Sequence, residues 1–256
     1  MKYLCNLLFE LSNEDRLRIL YQVAKEPMNI TNLAKLLDLT IQESSRHVSR
    51  LTEAGLTQKD ADGSHRLTPY GELVLEQLPG LTFISKQRDY FTSHPLTTVP
   101  MEFVDRIGDL SNSTYMDDVM VVIRSVEMLI QGAKEYVWNL NDQYVASSFR
   151  LIGEALKRGV KTRSIDLKHY TWDPKIRSAL SDEVIEAIKV ARTSGLLKER
   201  VLEKIEVFLW ISEREAVVAL PRLDGKFDYL GFTSTDDRAR KWCMDVFDYY
   251  WEKAAQ

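Results

Sequence analysis

The stretch LTIQESSRHVSRLTEAGL, residues 39–56, sets amide, hydroxyl and guanidinium groups at helical spacing. Gln42, Ser45, Arg46 and Ser49 share one side, with Arg50 beside them. These side chains supply no nucleophile and base. They offer the donors and acceptors that match base edges and phosphates in a DNA major groove. Lys59, His65 and Arg66 add basic groups a short way downstream. A second set lies far along the chain: Trp138, Asp142 and Gln143 around one apolar run, Arg163 and Asp166 in the next, and Trp210 in a third. Two indole faces with carboxylate, amide and guanidinium groups suit a small polar ligand. The plainer alternative is that these polar groups only cap the helices that follow.

Catalytic sets are missing. The chain has no G-x-S-x-G, Walker loop, H-E-x-x-H or C-x-x-C pattern. His169 is the only histidine after residue 94, which excludes a two-histidine mechanism. No enzyme activity, cofactor or metal is expected.

The groove-reading residues need a helix that presents them. Thr40 and Glu43 form a T-x-x-E capping box, so that helix starts at about residue 41. Ile41, Ser44, Val48 and Leu51 face inward, His47 sits at the edge of their stripe as a packing residue, and Gly55 ends the helix. Before it, NITNLAKLLDL makes a short helix with Leu33, Leu36 and Leu37 inward, joined through a tight turn at Asp38 and Leu39. Earlier still, SNEDRLRILYQVAKEP is a helix with Ser12 as N-cap and Asp15 three residues on, stopped by Pro27. After the helix, LTQKD and HRLTP flank ADGS, and Asp-Gly between short alternating runs is a hairpin signal. Helix, helix, turn, helix, hairpin is the order of a winged helix-turn-helix, whose capped helix enters the major groove while the hairpin lies on the adjacent backbone.

Charge tempers this. The formal net charge is -4, and within residues 42–66 Arg46, Arg50, Lys59 and Arg66 are cancelled by Glu43, Glu53, Asp60 and Asp62. Affinity for double-stranded DNA should be modest and salt-sensitive, and a homodimer that doubles the contacts is part of the expectation.

Residues 1–78 are therefore read as the winged helix-turn-helix domain. Residues 79–113, punctuated by prolines, read as a semi-rigid helical linker with helices at 70–78 and 81–91 and aromatics that pack between domains or across a dimer. Residues 114–256 read as an α/β domain that dimerises, binds an effector, or both. EYVWNLND and VKTRSID are strands around the helix QYVASSFRLIGEALKRG, a βαβ unit. SDEVIEAIKVARTSG is a further helix, IEVFLWIS, EAVVALP and FDYLGFTS are strands, and an aromatic-rich helix closes the chain. The expected fold is α+β at the N-terminus and α/β beyond the linker.

A composition of 45% hydrophobic and 28% charged residues is that of a folded soluble protein. Cys5 and Cys243 stand at opposite ends, without a disulfide framework, and point to a reducing cytoplasm. The opening MKYLCNLLFEL is interrupted by Asn6 and Glu10 and reads as a buried first helix rather than a signal peptide, and no stretch approaches the roughly 18 apolar residues of a membrane span.

Across its length the sequence resembles the archaeal winged-helix regulators named for a methanogenesis-regulatory middle domain. The resemblance is carried by SSRHVSRLTEAGL, DGSHRLTPYG, GLTFISKQRDYF, EYVWNLNDQ, EALKRGVKTR, LDGKFDYLGF and DVFDYYWEK. It implies a dimeric transcription factor with a sensor domain, similar to the phospholipase-D-type fold but without its chemistry, since WISEREAVVALP lacks the histidine of H-x-K. The alternative is a protein-interaction module that docks on transcription machinery through its winged helix.

Overall fold

The computed structural model describes residues 1–168 and 180–255, and the chain divides into two compact units, Met1–Leu81 and Thr82–Gln256. In the first unit, α1 (Lys2–Leu11), α2 (Glu14–Lys25), α3 (Ile30–Leu37) and α4 (Ile41–Glu53) precede a two-stranded antiparallel wing, β1 (Thr57–Lys59) and β2 (His65–Leu67), and the start of α5 (Pro69–Lys86). Ile19, Leu20, Leu33, Val48, Leu51 and Leu56 form its core.

Local chemistry sets these boundaries. Asn13 caps α2 by accepting from the Arg16 N–H, so the cap lies one residue beyond the expected Ser12, whose hydroxyl instead donates to the Phe9 carbonyl. Asp38 ends α3 in the left-handed region at φ 56, which makes the α3–α4 turn tight. Leu36 and Ile41, expected inward, are exposed. So are Tyr3, Leu4, Leu8 and Phe9, which leaves α1 an open apolar surface instead of a buried helix. The helical spacing of apolar residues in α1 marks a helix but says nothing of what covers it.

The second unit is built on a seven-stranded mixed sheet in the order β3-β9-β8-β7-β4-β5-β6. Its strands are β3 (Thr114–Met116), β4 (Tyr136–Leu140), β5 (Lys161–Leu167), β6 (Leu197–Leu202), β7 (Phe208–Ser212), β8 (Ala216–Ala219) and β9 (Gly231–Ser234). β4, β5 and β6 run parallel, and every other pairing is antiparallel. The parallel strands are joined through α9 (Ala146–Lys157) and α10 (Asp182–Ser194), as parallel pairs require. α8 (Val119–Gly132) packs with α9 and α10 on one face, and α11 (Asp237–Lys253) covers the other.

The segment expected to link the domains is structural. The end of α5, α6 (Arg88–Ser93), the loop that follows it, α7 (Met101–Val104) and the 3-10 turn Ile107–Leu110 send Phe83, Tyr90, Val99, Phe103, Ile107 and Leu110 into the core beside α11. The Trp242 indole donates to the Phe103 carbonyl at 2.9 Å, and Tyr90 Oη accepts from the Leu220 N–H at 2.9 Å. Nor does Pro79 break a helix, for α5 runs through it. The proline forfeits one hydrogen bond, while Val74 and Leu75 before it and Phe83 after it anchor both halves in buried positions.

Candidate nucleic-acid interface and ligand cavity

The N-terminus of α4 is locked by a reciprocal cap. Thr40 Oγ1 accepts from the Glu43 N–H at 3.1 Å, and the Glu43 carboxylate accepts from the Thr40 N–H at 3.0 Å. The Thr40 hydroxyl, which also donates to the Glu43 carboxylate at 2.7 Å, and the Thr40 N–H together hold that carboxyl below the usual range. Gln42, Arg46 and Ser49 are exposed beyond the cap, and Ser45 is half-buried among them. Lys59 is exposed on the wing.

Three expected contact residues are placed differently. The Arg50 guanidinium grips Glu10 through two bonds, at 2.5 and 2.9 Å, and lies over the Phe9 ring at 5.3 Å. It fastens α4 to α1 while its side chain stays partly exposed. Glu10 is the partner that sequence reading missed; forty residues of separation leave no local signal. His65 is buried, because its strand exchanges backbone bonds with Met28 (3.0 and 2.8 Å) and the alternation of β2 turns Arg66 outward instead. Arg66 itself pairs with Asp60 at 2.9 Å. Gly63 at φ 84 closes the wing, and the Asp62 carboxylate, accepting from the Ser64 N–H and hydroxyl, is held below its usual range.

His47 and His65 are both buried, and burial, reinforced by the nearby Arg46 and Lys59 respectively, pushes both below the usual histidine value. The unfolded chain binds these protons near pH 6.5, whereas the folded unit resists them until lower pH. Stability from the neutral rings is therefore present above about pH 6.5 and lost as pH falls through the folded values. Hydrogen-exchange protection of α4 amides, corrected for intrinsic rates, should drop between about pH 7 and pH 5.5. Equal protection at both would count against it, and His47→Gln with His65→Leu should flatten the response.

In the second unit, strand alternation divides the expected ligand residues. Trp138 and Arg163 face α11, with the Arg163 guanidinium 4.8 Å from the Trp138 ring, 5.3 Å from Trp251 and 3.8 Å from Asp248. Asp166 and Trp210 face α8 and α9. The six residues therefore make no common site. Asp142, in the loop after β4, accepts from the Tyr229 hydroxyl at 3.1 Å, and burial raises its carboxyl. Gln143 is exposed at the mouth of a largely apolar cavity of about 230 Å³ that Trp210 also lines. His169 lies outside the described residues.

Asp166 sits in a different cavity, also about 230 Å³, between β4, β5, β6, α9 and α10. Tyr144 Oη lies 2.8 Å from Asn139 Oδ1, 2.7 Å from Ser164 Oγ and 2.6 Å from Asp166 Oδ1. Ser164 Oγ lies 2.9 Å from the same asparagine oxygen and 3.0 Å from the same aspartate oxygen. Burial raises the Asp166 carboxyl to about 6 against the pull of these hydroxyls. Thr162, Ser164 and Asp166 share one face of β5, a polar alternation readable in KTRSID that marks this cavity more sharply than Arg163 does. Among the described residues no three His, Cys, Asp or Glu side chains gather as a metal site, and no helix is long and apolar enough to cross a membrane.

Residues 11–58 match the family model of a helix-turn-helix domain, and residues 140–253 match the model described as methanogenesis regulatory protein FilR1, middle domain. No curated protein matches the chain in sequence. Among solved structures, the chain is similar to TrmBL2, an archaeal chromatin protein, at 19% identity and TM-score 0.44 over 95% of this chain and 94% of that one. It is also similar to Nuc from Salmonella typhimurium, a phospholipase D family member (10%, TM-score 0.39, 56% and 93% covered), and to NucT from Helicobacter pylori (13%, 0.38, 56% and 96%). A helix-turn-helix domain followed by a FilR1-type middle domain is the composition of a DNA-binding transcription regulator.

Proposed function

We propose that this chain is a homodimeric, sequence-specific transcription regulator whose α4 reads the major groove and whose second unit dimerises, senses a small ligand, or both. The observation that carries the reading is α4 itself: a helix with a closed capping box, its inner face in the core, and Gln42, Arg46 and Ser49 exposed within the segment that matches a helix-turn-helix domain. Ser45 sits at the edge of that surface. Lys59 is the wing cation without an ion pair among the described residues, and it is assigned to phosphate. Arg50 and Arg66 are left out of the contact set because Glu10 and Asp60 already hold them, and His65 because its ring is buried.

Dimerisation is supported by the few free cations per protomer and by exposed apolar residues, Tyr3, Leu4, Leu8 and Phe9 on α1 and Val119, Met120, Val121 and Met128 on α8. Gel shift against genomic fragments tests the reading. A sequence-selective complex is expected at low salt, and its absence would refute the assignment. Two Lys59 side chains per dimer should contribute about 1.8 to the magnitude of the slope of log K against log salt, so Lys59→Ala should lower it by about that amount. The cancelled charge of residues 42–66 favours one other reading, a winged helix that docks on transcription machinery. A flat salt dependence in the wild type would select it.

A further inference from the structure

The cavity around Asp166 has a proton inventory that its own residues leave open. Two hydroxyls, Tyr144 and Ser164, supply two protons to two acceptors, Asn139 Oδ1 and Asp166 Oδ1. Nothing among the described residues serves the second carboxylate oxygen of Asp166. On the donor side, Asn139 and Thr162 line the same cavity, and the Asn139 amide nitrogen and the Thr162 hydroxyl are buried and without a partner among the described residues. A buried donor without an acceptor has given up its hydration for nothing in return, and a ligand or bound water is one of the partners that such a group can serve.

Charge narrows the ligand. Arg192, whose positive charge acts on the carboxylate, is committed to Glu199 through bonds of 2.5 and 2.8 Å. Lys168 is committed to Glu203. Asp166 therefore lies in a largely buried position with no ion-pair partner among the described residues, the situation in which a buried charge is most costly. The remaining walls are apolar, with Phe149, Ile152, Ile188, Leu197 and Val201. A volume of about 230 Å³ equals roughly eight waters of liquid, room for a short aliphatic body.

We propose that this cavity binds a small aliphatic amine bearing a hydrogen-bond acceptor, its ammonium on Asp166 and its acceptor on the Asn139 amide and Thr162 hydroxyl. The proposal deepens the ligand-sensing part of the function above and rests on it.

Isothermal titration of the full chain with aminopentanol, pentanediol and pentanoate tests it. Aminopentanol should bind at about pH 7.5 at least tenfold more tightly than the diol, and pentanoate should not bind, because its charge repels Asp166. Lowering the pH to about 5 should weaken the amine about tenfold as Asp166, with its carboxyl raised to about 6, takes up a proton. The groups that face Asp166 and shape this titration are Tyr144, Arg192 and Glu199. Asp166→Asn should abolish the preference for the amine while circular dichroism shows the fold intact. Should that variant fail to fold, the pH profile of the wild type decides. Equal binding of the diol, preference for pentanoate, a flat pH profile, or silence of all three probes would overturn the proposal. Gel shift on the same sample separates the two readings: amine failure with DNA binding retained removes only the ligand, and the converse removes only the regulator.

Discussion

Arg46→Ala is expected to weaken binding to a selected DNA site by about ten- to hundredfold per half-site, with the melting temperature unchanged. Arg46 has no structural duty to lose. It is exposed on the outer face of α4 and makes no ion pair among the described residues, so its removal takes nothing from the fold. A bidentate arginine–guanine contact is worth about 1–3 kcal/mol of discrimination, and a dimer loses it twice. Arg50 is the matched control. Four residues along the same helix and identical in chemistry, it is consumed by Glu10 and by the Phe9 ring. Arg50→Ala should loosen α1 from α4 and raise hydrogen exchange in both, with a much smaller effect on affinity than Arg46→Ala. Gel shifts of the two variants, paired with melting curves, decide the matter. Equal losses of affinity would mean that the Glu10 pair opens on DNA and that both arginines read it.

Phe83→Ala should destabilise the second unit by about 3–5 kcal/mol, the usual cost of emptying a large buried aromatic position. Phe83 is 1% exposed and meets Phe91 at 5.6 Å and Phe232 at 5.1 Å between ring centroids. A residue in a domain linker would cost well under 1 kcal/mol, as surface substitutions do. The experiment has a convenient probe, since all five tryptophans lie beyond residue 137 and their fluorescence reports on the second unit. Denaturant unfolding followed by that signal should show the midpoint fall with the slope retained. An unchanged midpoint would return residues 82–113 to the status of a connection.

Sequence alone determined the features whose physics is local. The Thr40–Glu43 cap, the Asp38 turn and the Gly63 wing each depend on hydrogen bonds or backbone conformations spanning a few residues, and residue type dictates them wherever the chain goes. The β4–α9–β5 unit and the closing α11 likewise follow from periodicity. One distinction was legible and easily overlooked. Arg163 and Asp166 are three apart on one strand, so the period of two already forbids them a common face.

The tertiary structure decided what distant partners do to side chains of known type. Nothing near Arg50 announces Glu10, nothing near His65 announces the Met28 bridge, and the aromatics of residues 82–113 carry no mark of which sheet they cover. Chain topology alone brings these groups together. The same reason explains Asp166. A strand pattern shows a carboxylate, but only packing reveals that Tyr144 and Ser164 serve one of its oxygens, that Arg192 is taken by Glu199, and that a buried amide nearby lacks an acceptor among the described residues. Hydrogen bonds and burial are properties of neighbours in space, and a linear sequence identifies reliably only the neighbours within one turn of helix or one hairpin.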